Sequence, residues 1–177
     1  FDSGLGGLSV LAAIADGLPR ADLVYLADTA HLPYGDKDDS FIRHRVLRIG
    51  THLVDQGCRV VVVACNTATA AAVSAFRETY PELRVVGVEP GVKPAAAASR
   101  SRRIAVLATA STARSQRLAQ LIERHATSVE VLVEACPGWA TRVEALRLTD
   151  GDFVDEAHRH LDPLLESGVD QIVGQQH

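Results

Sequence analysis

Cys65 closes the run Val60-Val61-Val62-Val63-Ala64 and is followed at once by Asn66-Thr67-Ala68-Thr69, so an apolar strand gives way to small polar groups and an alanine-rich stretch. That order places a thiol where a strand's carboxyl end meets a helix's amino end. Doubly wound folds bind ligands at this position, and helix N–H groups there favour a thiolate. The competing reading is a small buried hydrophobe, which is what most free cysteines are. Asn66 and Thr67 favour chemistry, because polar side chains at a strand tip suit a ligand better than a core.

Two further segments end at comparable positions. Asp2-Ser3-Gly4-Leu5-Gly6-Gly7 is a glycine-rich turn entering a helix. It lacks the glycine that dinucleotide binding wants at Ser9, and no phosphate-loop lysine follows, so backbone N–H groups contacting a small carboxylate are the better expectation. Asp2 could orient or deprotonate a ligand group, or serve only as a helix N-cap. Asp28-Thr29-Ala30-His31-Leu32-Pro33-Tyr34-Gly35 follows a second apolar run, and Tyr34-Gly35 offers backbone donors and an aromatic wall. His31, His44, His52, His125, His158 and His160 lack metal-ligand spacing and read as surface residues. His177 differs, since it follows a terminal strand.

The elements that must carry these residues are legible as periodicity. Leu8, Leu11, Ile14 and Leu18 fit a first helix, and Asp22 to Ala27 a strand. Ile42, Val46, Ile49 and Leu53 mark one face of a helix that Gly57 can cap. Strand 59–64, helix 68–79 and strand 84–88 come next. Beyond Pro90-Gly91-Val92-Lys93-Pro94 come strand 103–107, helix 112–125, strand 129–134, helices 137–148 and 152–167, and a last strand. Regular alternation predicts an α/β fold with mostly parallel sheets flanked by helices. The Pro-Gly-Pro stretch divides it into a first lobe, 1–94, with Asp2 and Cys65, and a second, 95–177, ending in Gly174-Gln175-Gln176-His177. An internal repeat supports two similar lobes: Leu53, Gly57 and the strand into Cys65 parallel Leu164, Gly168 and Ile172-Val173 running into Gln175. Two similar strand tips facing one cleft would result.

Of the 177 residues, 47% are apolar and 23% charged, with a net charge of −4, which gives no electrostatic case for nucleic acid. No apolar stretch approaches the roughly 20 residues of a membrane span. Three cysteines, Cys58, Cys65 and Cys136, make neither a metal pair nor an even disulfide set, so the cytoplasm is the expected compartment. The chain opens at Phe1 like the exit of a strand and stops at another strand's tip. A missing first strand and a missing C-terminal segment are expected.

Phe1-Asp2-Ser3-Gly4-Leu5-Gly6-Gly7-Leu8-Ser9-Val10, Ala27-Asp28-Thr29 with Pro33-Tyr34-Gly35, Ala64-Cys65-Asn66-Thr67-Ala68, Gly87-Val88-Glu89-Pro90 and Ala135-Cys136-Pro137 together resemble the glutamate racemases of the aspartate/glutamate racemase superfamily. The resemblance spans essentially the whole chain. It implies a cofactor-independent isomerase, without a metal, that interconverts L- and D-glutamate for peptidoglycan, with its active site in the cleft between two α/β lobes. In that family two cysteines face opposite sides of the α-carbon. Cys65 matches one of them and Asp2 the aspartate that assists it, while His177 matches a catalytic histidine. Asp2, Ser3, Tyr34, Gly35, Asn66, Thr67, Thr109, Thr112, Gln176 and His177 match substrate-binding positions; Asp28 and Glu144 match supporting acids. Cys136 is not the second base, and Cys58, at the entry to the Cys65 strand, does not replace it. Glutamate is the implied partner, and a homodimer stays open.

The resemblance fails at one place. Family members carry Gly-Cys-Thr-His where this chain reads Gly174-Gln175-Gln176-His177, so Gln175 stands for the second thiol and Gln176 for a threonine. An amide has no useful pKa near 7. Losing one acid–base group costs about 10²–10⁴-fold, so this polypeptide is expected to bind poorly and racemise little. True divergence and a scar at a fragment's end both account for the glutamines. The rivals are a one-cysteine relative acting on a small dicarboxylate and a catalytically impaired amino-acid-binding or regulatory protein.

Overall fold

The computed structural model describes residues 1–145, 147 and 149–174. Gln175, Gln176 and His177 lie outside the described residues. In chain order the elements are α1 (Gly7–Gly17), two 3-10 turns (Thr29–His31 and Tyr34–Asp36), α2 (Asp39–Asp55), β1 (Val60–Val63), α3 (Asn66–Thr79), β2 (Arg84–Gly87), α4 (Val92–Ala98), β3 (Arg103–Ala108), α5 (Ala110–Ala113), α6 (Gln116–His125), β4 (Glu130–Ala135), α7 (Trp139–Glu144), α8 (Gly151–Glu166) and β5 (Gln171–Gly174). Every named strand pair is parallel, giving the mixed α/β architecture that the alternation predicts. Among the described residues no helix is long and apolar enough to cross a membrane. Two compact units result, Phe1–Glu89 and residues 90–174.

In the first unit β1 pairs with β2 in the register Val60↔Arg84 to Val63↔Gly87. Phe1 and Asp2 lie along the other side of β1: the Phe1 amino group donates to Val62 O at 2.7 Å, and Ala64 N–H to Phe1 O at 2.8 Å. Asp2 in turn bridges Ala27, with Asp2 N–H on Leu26 O and Asp28 N–H on Asp2 O, both 3.0 Å. This ladder brings Asp2, Asp28 and Cys65 to the same carboxyl-terminal edge. The strand expected over Asp22–Ala27 reduces to that single bridge. Among the described residues only the backbone around Ala27 finds ladder partners there.

Helix α2 starts where the Asp38 side chain accepts the Phe41 N–H at 2.7 Å, and buries Ile42, Val46, Ile49 and Leu53. Facing it, α3 buries Phe76, whose ring occupies the space a side chain at Gly50 would need. Val63 and Phe76 are both fully buried, each contributing roughly 1.5–3 kcal/mol of apolar burial. Gly57, at φ +85°, ends α2 with its N–H on Val54 O and the Cys58 N–H on Leu53 O. That hydrogen-bond pair is a Schellman cap, and its positive φ is the reason for glycine. Helix α1 takes in Leu8, Leu11 and Ile14 and ends before Leu18, its C-cap; it buries only Gly7, and Leu8 and Leu18 are exposed.

The second unit has the strand order β4-β3-β5. Its central strand is covered on both faces: Ile104 and Val106 pack with Val92, Leu118, Leu121 and Val173, while Ala105 packs with Leu164 and Val169. Gly168, at φ +87°, caps α8 with the same bond pair as Gly57: its N–H meets Leu165 O, and the Val169 N–H meets Leu164 O. Helix α4, which the periodicity does not announce, begins at Val92 and takes Pro94 into its first turn, where a missing N–H costs no helical bond. Two expectations are corrected here. The helix expected over 112–125 is two, since the Ser115 side chain accepts the Leu118 N–H and starts α6 afresh. Of the helix expected over 137–148, the described residues show Trp139–Glu144 as helix.

Candidate active site

Cys65 is the N-cap of α3, and only 2% of its surface is exposed. Its Sγ accepts the Ala68 N–H at 3.4 Å and lies 3.4 Å from the Ser3 hydroxyl. Burial pushes the thiol above its ordinary value, and the charge of Asp2 adds to that, outweighing the Ser3 hydroxyl and the N–H groups of Ala68 and Ser3. The N–H groups at the helix terminus do lower it, as the sequence leads one to expect, but desolvation is the larger effect.

Asp2 is buried beside it. Its Oδ2 accepts the N–H groups of Gly4 at 3.2 Å and Gly7 at 2.9 Å, which fixes the glycine-rich turn around the carboxylate. Its Oδ1 is buried and finds no hydrogen-bond partner among the described residues. A Cβ at Gly7 would lie 2.6 Å from Asp2 Cβ and 2.9 Å from the Tyr25 hydroxyl, so the turn closes only on glycine. Tyr25 secures the other side by donating to Gly4 O at 2.9 Å. Asn66 and Thr67, in the first turn of α3, are buried as well. Asp2, Ser3, Cys65, Asn66 and Thr67 are thus all buried, with Ser3 and Cys65 in direct contact.

Asp28 gathers a second set. Its carboxylate accepts the Tyr34 hydroxyl at 2.6 Å, Arg45 Nε at 2.9 Å and Nη2 at 2.6 Å, and stands 3.1 Å from His31 Nδ1. Burial opposes its ionisation, but the hydrogen bonds from Arg45, Tyr34 and His31 prevail and hold the carboxyl below the usual range. The Tyr34 phenol is driven far above its ordinary value by burial, then by Asp28, with a contribution from Cys65. Tyr34 and Gly35 are both buried. His31 and His160 are not plain surface residues, since each is half-buried beside a carboxylate, Asp28 and Glu134 respectively.

Arg45 was missed in the sequence. The available signal was its place on α2, between Ile42, Val46 and Ile49, where an arginine needs a buried partner.

In the second unit Thr109 is the N-cap of α5. Its hydroxyl donates to Thr112 Oγ1 at 3.1 Å and accepts the Thr112 N–H at 3.3 Å, so the two threonines form one buried pair at the tip of β3. Cys136 follows β4; burial, then Glu134 and Glu156, raise its thiol to about 11. Glu144 ends α7 and is half-buried. A hollow of about 770 Å³, lined by Val54, Cys58, Arg59, Tyr80, Leu83 and Arg84 among others, lies at the amino ends of β1 and β2. It is at the wrong end of the strands for Cys65, and none of the site residues lines it.

Comparison with known proteins gives this geometry a context. A family model described as Asp/Glu/Hydantoin racemase matches residues 9–173. The chain is 49% identical over 173 residues to a glutamate racemase of Pseudomonas aeruginosa strain UCBPP-PA14, covering 98% of this chain and 65% of the relative. Among solved structures it resembles Escherichia coli glutamate racemase in complex with L-glutamate and the activator UDP-MurNAc-Ala, with TM-score 0.86 and 34% identity over 99% of this chain and 67% of that one. It also resembles the Francisella tularensis glutamate racemase in complex with D-glutamate, with TM-score 0.82 and 25% identity over 97% and 64%. The chain therefore spans about 65% of the length of the curated relatives it matches.

Proposed function

Because the chain belongs to the Asp/Glu/hydantoin racemase family, we propose that it is built for cofactor-independent proton transfer at the α-carbon of glutamate, the chemistry that interconverts the enantiomers and supplies D-glutamate for peptidoglycan in the cytoplasm. Cys65, capping α3 with Ser3 on its sulfur and Asp2 within electrostatic reach, is the observation that carries this reading. A thiol held protonated by burial becomes a base once a nearby carboxylate takes its proton and an incoming ammonium offsets the local negative charge. We assign this step to Asp2 Oδ1, which finds no hydrogen-bond partner among the described residues.

The ligand's carboxylates would meet the N–H groups of the Ser3 and Tyr34-Gly35 turns and the polar groups of Asn66 and Thr67. Thr109, Thr112, Gln176 and His177 are assigned to substrate binding, with His177 also in a proton-transfer role; Asp28 and Glu144 support the site. Removal of the α-proton leaves a planar carbanion, and inversion requires a second acid on the opposite face.

Gln175, at the position that should provide it, favours a second reading alongside the first: a one-thiol site that binds glutamate and turns it over slowly. Chiral chromatography after incubation with each pure enantiomer tests the proposal. Slow appearance of the opposite enantiomer, abolished by Cys65→Ser, supports it. Turnover that survives in Cys65→Ser removes Cys65 from the chemistry.

A further inference from the structure

We infer that Arg45 is a positioning residue for the ligand-facing Tyr34-Gly35 turn, acting through Asp28; this rests on the proposed use of that turn to hold glutamate. Arg45 projects from α2 with a side chain 16% exposed, and grips Asp28 with two hydrogen bonds, Nε to Oδ2 at 2.9 Å and Nη2 to Oδ1 at 2.6 Å. Such a forked pair fixes the carboxylate plane as well as its charge, which an ammonium does not. The fixed plane then decides where Tyr34 can sit, because the Tyr34 hydroxyl donates to the same Oδ2 at 2.6 Å. Tyr34 is buried, its carbonyl accepts the Lys37 N–H at 3.0 Å, and Gly35 follows directly. Asp28 is also joined to the backbone of Asp2, since its N–H donates to Asp2 O at 3.0 Å. One arginine outside the site therefore sets the turn in register with the Asp2 strand.

A general clamp between α2 and the 28–36 segment would make the same ion pair, so the test must separate local from global loosening. Arg45→Met and Arg45→Lys are compared with wild type by amide hydrogen exchange and by calorimetric titration with L-glutamate. Two amides report: Lys37, bonded to Tyr34 O, and Thr69, bonded to Cys65 O at 2.9 Å inside α3. In Arg45→Met the Lys37 amide is expected to exchange about 10-fold faster or more, as for a lost charge-assisted hydrogen bond, while Thr69 stays within about 3-fold of wild type. Glutamate affinity falls by a similar factor, and Arg45→Lys restores only part of both, lacking the fork. Unchanged Lys37 exchange, equal acceleration at Lys37 and Thr69, or unchanged glutamate affinity in a folded Arg45→Met protein overturns the inference. If wild type itself binds no glutamate, the proposed function falls, and the exchange comparison still decides whether Arg45 orders the turn.

Discussion

The molecule contains two helix–glycine–strand units of the same local design, α2–Gly57–β1 and α8–Gly168–β5. Both helices end in a Schellman cap on a glycine, at φ +85° and +87°, with a leucine carbonyl four residues earlier accepting the N–H of the residue after the glycine. Both strands run parallel to their neighbours. The difference lies just past each strand's carboxyl end. In the first unit, β1 leads through Ala64 to Cys65, whose sulfur caps the next helix and meets Ser3. In the second, Gly174 is succeeded by Gln175, which offers no ionisable group. The scaffold is repeated while the ionisable tip is not, so scaffold and tip are specified by different residues.

Restoring symmetry is the largest expected change. Gln175→Cys should raise the rate of racemisation by about 10²-fold or more, the usual contribution of a general acid–base group, measured as opposite enantiomer formed per unit time. No gain would break the comparison between the two tips. Next is a lesion confined to the first tip. Gly7→Ala forces a methyl against Asp2 and the Tyr25 hydroxyl, and should cost about 1–3 kcal/mol in urea unfolding while loosening the turn that presents Asp2. The smallest effect tests the shared scaffold. Gly57→Ala and Gly168→Ala meet little steric obstruction, so each should cost only the strain of a positive φ, about 1 kcal/mol. Unequal costs would show that the two caps are less alike than their hydrogen bonds.

The caps and the Cys65 tip were legible because short-range sequence dictates them. A leucine, a glycine four residues on and an apolar run specify a capped helix entering a strand wherever they occur. The thiol's company of Ser3 and Asp2 came from the family resemblance and from nothing local, since 62 residues separate Ser3 from Cys65. Arg45 stayed hidden for the same reason: its partner Asp28 lies 17 residues away and meets it only through tertiary packing. The Asp22–Ala27 strand was misjudged because strand formation depends on a neighbour, and pairing reaches only Ala27. Helix α4 was missed because Pro94 reads as a breaker, although a proline in a first turn is compatible with a helix.

Solvent deuterium exchange at the α-carbon, followed by mass spectrometry of each pure glutamate enantiomer with wild-type protein and with Cys65→Ser, tests Cys65 as a lone working base most directly. Wild type should incorporate deuterium into one enantiomer much faster than it forms the other, and Cys65→Ser should lose that exchange by about 10²–10⁴-fold. Rapid exchange and racemisation of both enantiomers by wild type, or exchange that survives in Cys65→Ser, would contradict it.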